Sequence, residues 1–215
     1  MTLNYYGLSC FRLSSTSHDV SALIDPFDQS SGWKMPRLSA DLVLFSDAQS
    51  ADGTFKGKDG TEAFTTSSPG EYEVKNIFVY GVDAVKKNQK EKSPEHATLF
   101  VLAIDDVFVG HLSGLDRTLT EKELDQLGRI DILLLPVGGG SVLDPKTALD
   151  VIGQIEPRII VPMAYKLPGL KADLKPVDDF LKEYGIKDVQ PEEKLKIMKK
   201  DLPAGDQKVV VLNAV

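Results

Sequence analysis

The sequence predicts a layered α/β fold, sheet inside and helix outside. Two observations carry that expectation. The first half of the chain is a succession of short apolar or alternating runs separated by turn residues. The second half alternates amphipathic helical stretches with continuous apolar runs. Strands followed by strand–helix alternation bury best as packed layers. No linker long enough to divide the 215 residues is visible, so residues 1–215 are expected to form one domain.

Taken in order, "TLNYYG", "CFRLSS" and "VSALID" read as strands, and "DLVLF" follows as a fourth. After a glycine- and aspartate-rich loop come "EAFTTS", then "YEVKNIFVYGVDA" as one extended stretch, then "ATLFVLAID" and "VFVGHL". Asp105-Asp106, between the last two, has the chemistry of a hairpin turn. "TEKELDQLG" is a helix with a capping box, Thr120 three residues before Glu123, and Gly128 as its stop. "IDILLLPV" and "RIIVPM" are continuous apolar runs, expected to be strands covered on both faces. "DPKTALDVIGQI" begins with Asp144 as N-cap and Pro145 at the first helical position. Its Ala148, Val151, Ile152 and Ile155 form one apolar stripe, and Val177, Phe180, Leu181 and Tyr184 repeat the pattern in "KPVDDFLKEYG". "KLKIMKK" and "QKVVVLNA" are expected to close the chain as strands.

Composition excludes several function classes. The net charge is −7 and the pI about 5.0, which disfavours a nucleic-acid or anionic-membrane surface. The basic piece at 86–92, "KKNQKEK", reads as a solvated loop. Cys10 is the single cysteine, so an intrachain disulfide is impossible and a reducing cytoplasm is the expected home. No apolar run is long enough for a membrane span, and "MTLNYYG" lacks the features of a signal peptide.

Six pieces occur in a familiar order: "YYGLSCFRL" with "ALIDPF", "ADLVLFSDAQSAD", "SPGEYEV", "GHLSGL", "LGRIDILLLPVGGG" and "IIVPMAYK". Together, over about residues 3 to 170, they resemble the metallo-β-lactamase fold superfamily, in particular its small UlaG-like branch of zinc-dependent hydrolases. The resemblance implies a four-layer αββα sandwich of two packed mixed sheets flanked by helices. It also implies a site on the loops after core strands, where histidines and aspartates hold two metal ions.

The ligand positions depart from that pattern. Where the family has Thr-His-x-His-x-Asp-His, this chain has Ser46, Asp47, Gln49, Ala51 and Asp52 at the defining positions. Leu8 stands for the leading His and Ala164 for the His of "PMHY". In the "HLGDLG" piece His111 matches, but Gly114 stands for the Asp. Zinc sites take imidazole nitrogens, thiolates and carboxylates. Alanine offers nothing, and an amide oxygen is a poor donor. Asp47 and Asp52 suit Mg²⁺ or Ca²⁺ better. Bound zinc lowers the pKa of water from 15.7 to roughly 7, on the order of 12 kcal/mol toward hydroxide. A lone carboxylate base supplies only ~10²- to 10⁴-fold.

The expectation is therefore a homologue without its zinc ligands and without a cofactor, a non-catalytic pseudoenzyme or binding protein. Its partner would be a small molecule or a protein, with no nucleic acid and no membrane; a homo-oligomer is left open. The alternative is a rebuilt hydrolase of a small ester, lactone or phosphate. There Asp47, Asp52 and His111, with Asp25 as a further candidate, would hold one divalent ion or act as acid and base. Other residues read as structural: His18 and His96 at the surface, Cys10 as a small buried side chain, Asp25 as a turn acid. His111 itself reads as a hydrogen-bonded structural histidine. "VGGG" at 137–140 reads as a tight turn that could otherwise cradle an anion, and Glu71 and Tyr72 as core and turn residues.

Overall fold

The structure, a computed structural model, describes residues 1–48, 54–87 and 95–215. In chain order its strands are β1 (Thr2–Tyr5), β2 (Phe11–Ser14), β3 (Ser21–Ile24), β4 (Leu42–Leu44), β5 (Phe64–Thr66), β6 (Gly70–Val74), β7 (Ile77–Val85), β8 (His96–Ile104) and β9 (Val107–His111). Then follow α1 (Glu121–Leu127), β10 (Ile132–Pro136), α2 (Pro145–Ile155), β11 (Ile159–Met163), α3 (Val177–Tyr184), β12 (Leu195–Lys196) and β13 (Lys208–Val209). Two sheets result. The first runs β12-β1-β2-β3-β4-β5 and the second β13-β11-β10-β9-β8-β7-β6. The mixed α/β class with two facing sheets is the one the sequence predicts.

Alternation explains how the first sheet is covered. Leu42 and Leu44 enter the main core with Phe11, Leu13, Ile24, Phe100 and Leu134, whereas Val43 and Phe45 turn to the other face. There they meet Leu23 of β3 and Cys10, Phe27, Met35, Leu38 and Phe55 from coil segments. A strand buried on both faces reads as a continuous apolar run, which is why β3 and β4 lack polar alternation. β10 and β11 are buried at every position and pair in parallel, as their composition requires.

The helix ends follow the local chemistry. Glu123 N donates to Thr120 Oγ1 at 3.3 Å, Thr120 N donates to Glu123 Oε2 at 2.8 Å, and Gly128 ends α1 with φ 60°. Asp144 Oδ1 accepts from Lys146 N and Thr147 N at 3.0 and 3.2 Å. Among the described residues no helix is long and apolar enough to cross a membrane.

Three expectations need correction. "YEVKNIFVYGVDA" is two strands, because Lys75 and Asn76 both take left-handed φ (46° and 68°) and turn β6 back onto β7; this is the two-residue turn that matches strand twist. "KLKIMKK" supplies only β12. The Asp201 carboxylate then accepts from Met198 N at 3.1 Å and folds Lys199–Asp201 into a 3-10 turn. "QKVVVLNA" keeps only two residues in regular pairing, though Val210 N still donates to Ile160 O at 2.9 Å.

The Asp105-Asp106 turn forms as predicted, with φ 50° and 62°. Asp105 also ties the β8–β9 hairpin to the β2–β3 connection. Its carboxylate accepts from Ser15 Oγ (2.6 Å), Thr16 N (2.7 Å) and Thr16 Oγ1 (2.9 Å), and lies 2.9 Å from the Met1 amino group. Burial pushes this carboxyl up, but these donors outweigh it and hold it well below the usual carboxylate range. Asp105→Asn keeps the shape and the left-handed backbone, so it isolates the charge. It is expected to cost about 1.5–3 kcal/mol at neutral pH. A depressed folded pKa gives stability that is present above the unfolded value near 3.9 and lost as pH falls below it. Urea titrations at pH 7 and pH 3 should therefore show the gap between wild type and variant closing at the lower pH.

Candidate functional site

The strand pairing brings one end of both sheets together. β3 and β4 are parallel, so the residues after them, Asp25 and then Ser46 and Asp47, emerge at the same edge. Phe11 pairs with Ile24, which places the β1–β2 loop with Leu8 and Ser9 beside them. In the second sheet Val85 pairs with His96, and His111 with Phe100. The end of β7, the start of β8 and the end of β9 thus meet, presenting Lys86, Ala97, Ser113 and Gly114. Thr98 N donates to Ser46 O at 2.8 Å and joins the two sheets at this edge.

Between these loops lies a cleft of about 190 Å³, lined by Leu8, Ser9, Asp25, Phe27, Ser46, Asp47, Lys86, Ser113 and Gly114 among others. Asp25 is fixed by its own turn. It takes φ 47°, and its Oδ1 accepts from Ser46 N at 2.6 Å. Ser46 is 4% exposed and its Oγ has no hydrogen-bond partner among the described residues. Left-handed backbone at non-glycine residues costs on the order of 1–3 kcal/mol and concentrates at functional sites. Here Leu8 and Asp25 on the wall adopt it, as does Ala164, whose N–H donates to Leu8 O at 2.7 Å.

His111 sits behind this wall. It is 0% exposed, and its Nε2 lies 2.8 Å from Ser9 O. A carbonyl only accepts, so Nε2 carries the proton and Nδ1 keeps a lone pair, which finds no partner among the described residues. Burial pushes the imidazole pKa down, while the Asp25 carboxylate pulls the other way. The ring is thus a neutral donor that holds the β1–β2 loop. Cys10 is fully buried and its thiol is pushed well up by burial and by Asp25, which makes it a packing residue and a poor nucleophile.

Of the residues singled out in the sequence, Asp25 and Asp47 line the cleft, His111 supports it through Ser9, and Asp52 lies outside the described residues, with Gln49 and Ala51. His18 and His96 are exposed. The "VGGG" segment is a close-packed turn, since a Cβ on Gly138 would come within 2.1 Å of Ala164 O. Among the described residues, no group of three or more His, Cys, Asp or Glu is placed to hold a metal ion.

Lys86 is the residue sequence reading missed. It was assigned to a solvated loop, but its side chain is only 21% exposed and lies against the wall. Its N–H donates to Glu95 O at 2.9 Å and continues the β7–β8 ladder. The signal was available: Lys86 follows the buried Val82 and Ala84 at i+4 and i+2, on the same strand face. Its stem takes the space above Gly114, where a Cβ would meet Lys86 Cε at 3.4 Å and Ala97 Cβ at 3.2 Å.

Two facing mixed sheets with a cleft on the loops at one edge define a metallo-β-lactamase-type fold. The chain belongs to the beta-lactamase superfamily domain family, whose model matches residues 2–164. It is 29% identical over 184 residues to a UPF0173 protein of Pyrococcus abyssi, covering 79% of this chain and 85% of that one. It is 29% identical over 205 residues to a UPF0173 metal-dependent hydrolase of Thermococcus onnurineus, covering 80% and 88%. A crystal structure of a metallo-beta-lactamase superfamily protein from Thermotoga maritima superposes with a TM-score of 0.79 at 29% identity, covering 98% of both chains.

Proposed function

We propose that this chain is a metallo-β-lactamase-fold homologue that works without a zinc centre, as a non-catalytic protein whose cleft binds a small molecule. The make-up of the cleft wall supports this reading. The wall offers two carboxylates, Asp25 and Asp47, one of whose oxygens already accepts the Ser46 N–H. Among the described residues it presents no imidazole, since His111 is not part of the lining and stands behind it, its Nε2 turned to Ser9 O. Leu8, Gly114 and Ala164 stand where the resemblance puts ligands; Gln49 and Asp52 lie outside the described residues. That donor set does not fit a zinc pair, which needs several nitrogens and carboxylates at about 2.0–2.2 Å. A cytoplasmic home fits the single, fully buried Cys10.

The test is elemental analysis of protein purified without chelator. Zinc far below one ion per chain is expected; near-stoichiometric zinc, retained through dialysis, ends the reading.

A further inference from the structure

We propose that the cleft binds a small zwitterion, an amino-acid-like molecule carrying an ammonium and a carboxylate a few bonds apart; this deepens the reading above and rests on it. The two sheets contribute opposite charges to the two sides of the cleft. From the loops of the first sheet come Asp25, Ser46 and Asp47, and from the second come Lys86, Ser113 and Gly114. A simple anion would face two carboxylates, and a simple cation would face the lysine. A molecule that carries both charges satisfies both sides.

Two further observations point to a ligand. The first is Ser46 Oγ, a buried hydroxyl on the wall with no partner among the described residues. Such a group is costly to leave unpaired, at about 1–3 kcal/mol, and it can accept from an ammonium. The second is size. At about 190 Å³ the cleft is smaller than the ~300–1,000 Å³ of sites for drug-sized molecules, which suits a ligand of a few heavy atoms. Leu8, Phe27 and Ala97 complete the wall with apolar surface, which strengthens both ionic contacts by excluding water.

Isothermal titration of chelator-treated protein tests this, with glycine and L-alanine as probes and ethylamine and acetate as one-ended controls. The amino acids are expected to bind saturably, and each control at least ~10-fold more weakly, about 1.4 kcal/mol. Lys86→Met preserves the straight stem. It should weaken glycine by a similar factor without weakening ethylamine, and Asp47→Asn should weaken glycine without weakening acetate. The wild-type comparison needs no variant to fold. Equal binding of glycine and either control overturns the inference. The absence of saturable binding with and without added zinc overturns it too, and leaves the zinc-free reading standing. Amino-acid binding that arises only once zinc is added overturns both.

Discussion

Phe11→Ala is expected to cost about 3–5 kcal/mol, the range for truncating a fully buried phenylalanine. Phe11 is 0% exposed, its ring stacks on Tyr5 at 4.8 Å between centroids, and its edge meets His111 at 6.1 Å. As the first residue of β2 it also sits opposite Ile24, the residue before Asp25. The loss therefore combines removed apolar burial, a broken aromatic pair and a cavity directly behind the cleft. Against the 5–15 kcal/mol typical of folded domains, this is a large fraction. Urea unfolding should show a lower midpoint with an unchanged slope. A second readout is specific to this position. Burial lowers the His111 pKa, so wild type loses stability as pH falls below the unfolded value near 6.5, where only the unfolded imidazole readily takes a proton. The cavity admits water to the ring and relieves that penalty. The stability gap between Phe11→Ala and wild type should narrow between pH 7 and pH 5. A gap that stays constant would show that His111 is held by contacts other than the Phe11 ring.

Much of this arrangement was legible in the residues. Period-2 alternation and uninterrupted apolar runs located β1 to β5 and β8 to β11, because burial on one or two faces writes itself directly into side-chain polarity. The caps of α1 and α2 were legible because Thr120, Glu123 and Asp144 act on backbone groups two or three residues away. The β6–β7 hairpin was missed because Lys75-Asn76 lacks the glycine that usually marks such a turn; asparagine alone carried the signal. The short β12 and β13 were overread because they lie at sheet edges, where pairing depends on partners distant in sequence. The cleft was half legible. Asp25 and Asp47 follow core strands and announce themselves. Lys86, Ser113 and the unpaired Ser46 hydroxyl come together only when the second sheet closes on the first, and only the phase of Lys86 with the buried Val82 and Ala84 marks it out from the charged residues that follow.

Gly138→Ala is expected to cost about 3 kcal/mol or more, at or above the upper end for overpacking a close-packed interior. The new Cβ would stand 2.1 Å from Ala164 O and 3.1 Å from Leu174 Cβ. The obstacle is backbone, so no rotamer change removes it. Nor can that backbone yield cheaply. Ala164 already holds φ 50° and donates its N–H to Leu8 O at 2.7 Å, and Gly138 O accepts from Lys175 N at 2.8 Å. Any shift of Ala164 passes to Leu8 and so to the cleft wall, and glycine binding should weaken even where the variant remains folded. Gly110→Ala supplies the control. There the nearest atom, Ile130 Cδ1 at 2.6 Å, is the end of a side chain that can rotate, so a cost of about 1–2 kcal/mol is expected. Thermal melts of the two variants should rank Gly138→Ala clearly below Gly110→Ala. Equal melting temperatures would mean that the Ala164 turn moves freely, and that the strained backbone around Leu8 and Ala164 does not hold the cleft in shape.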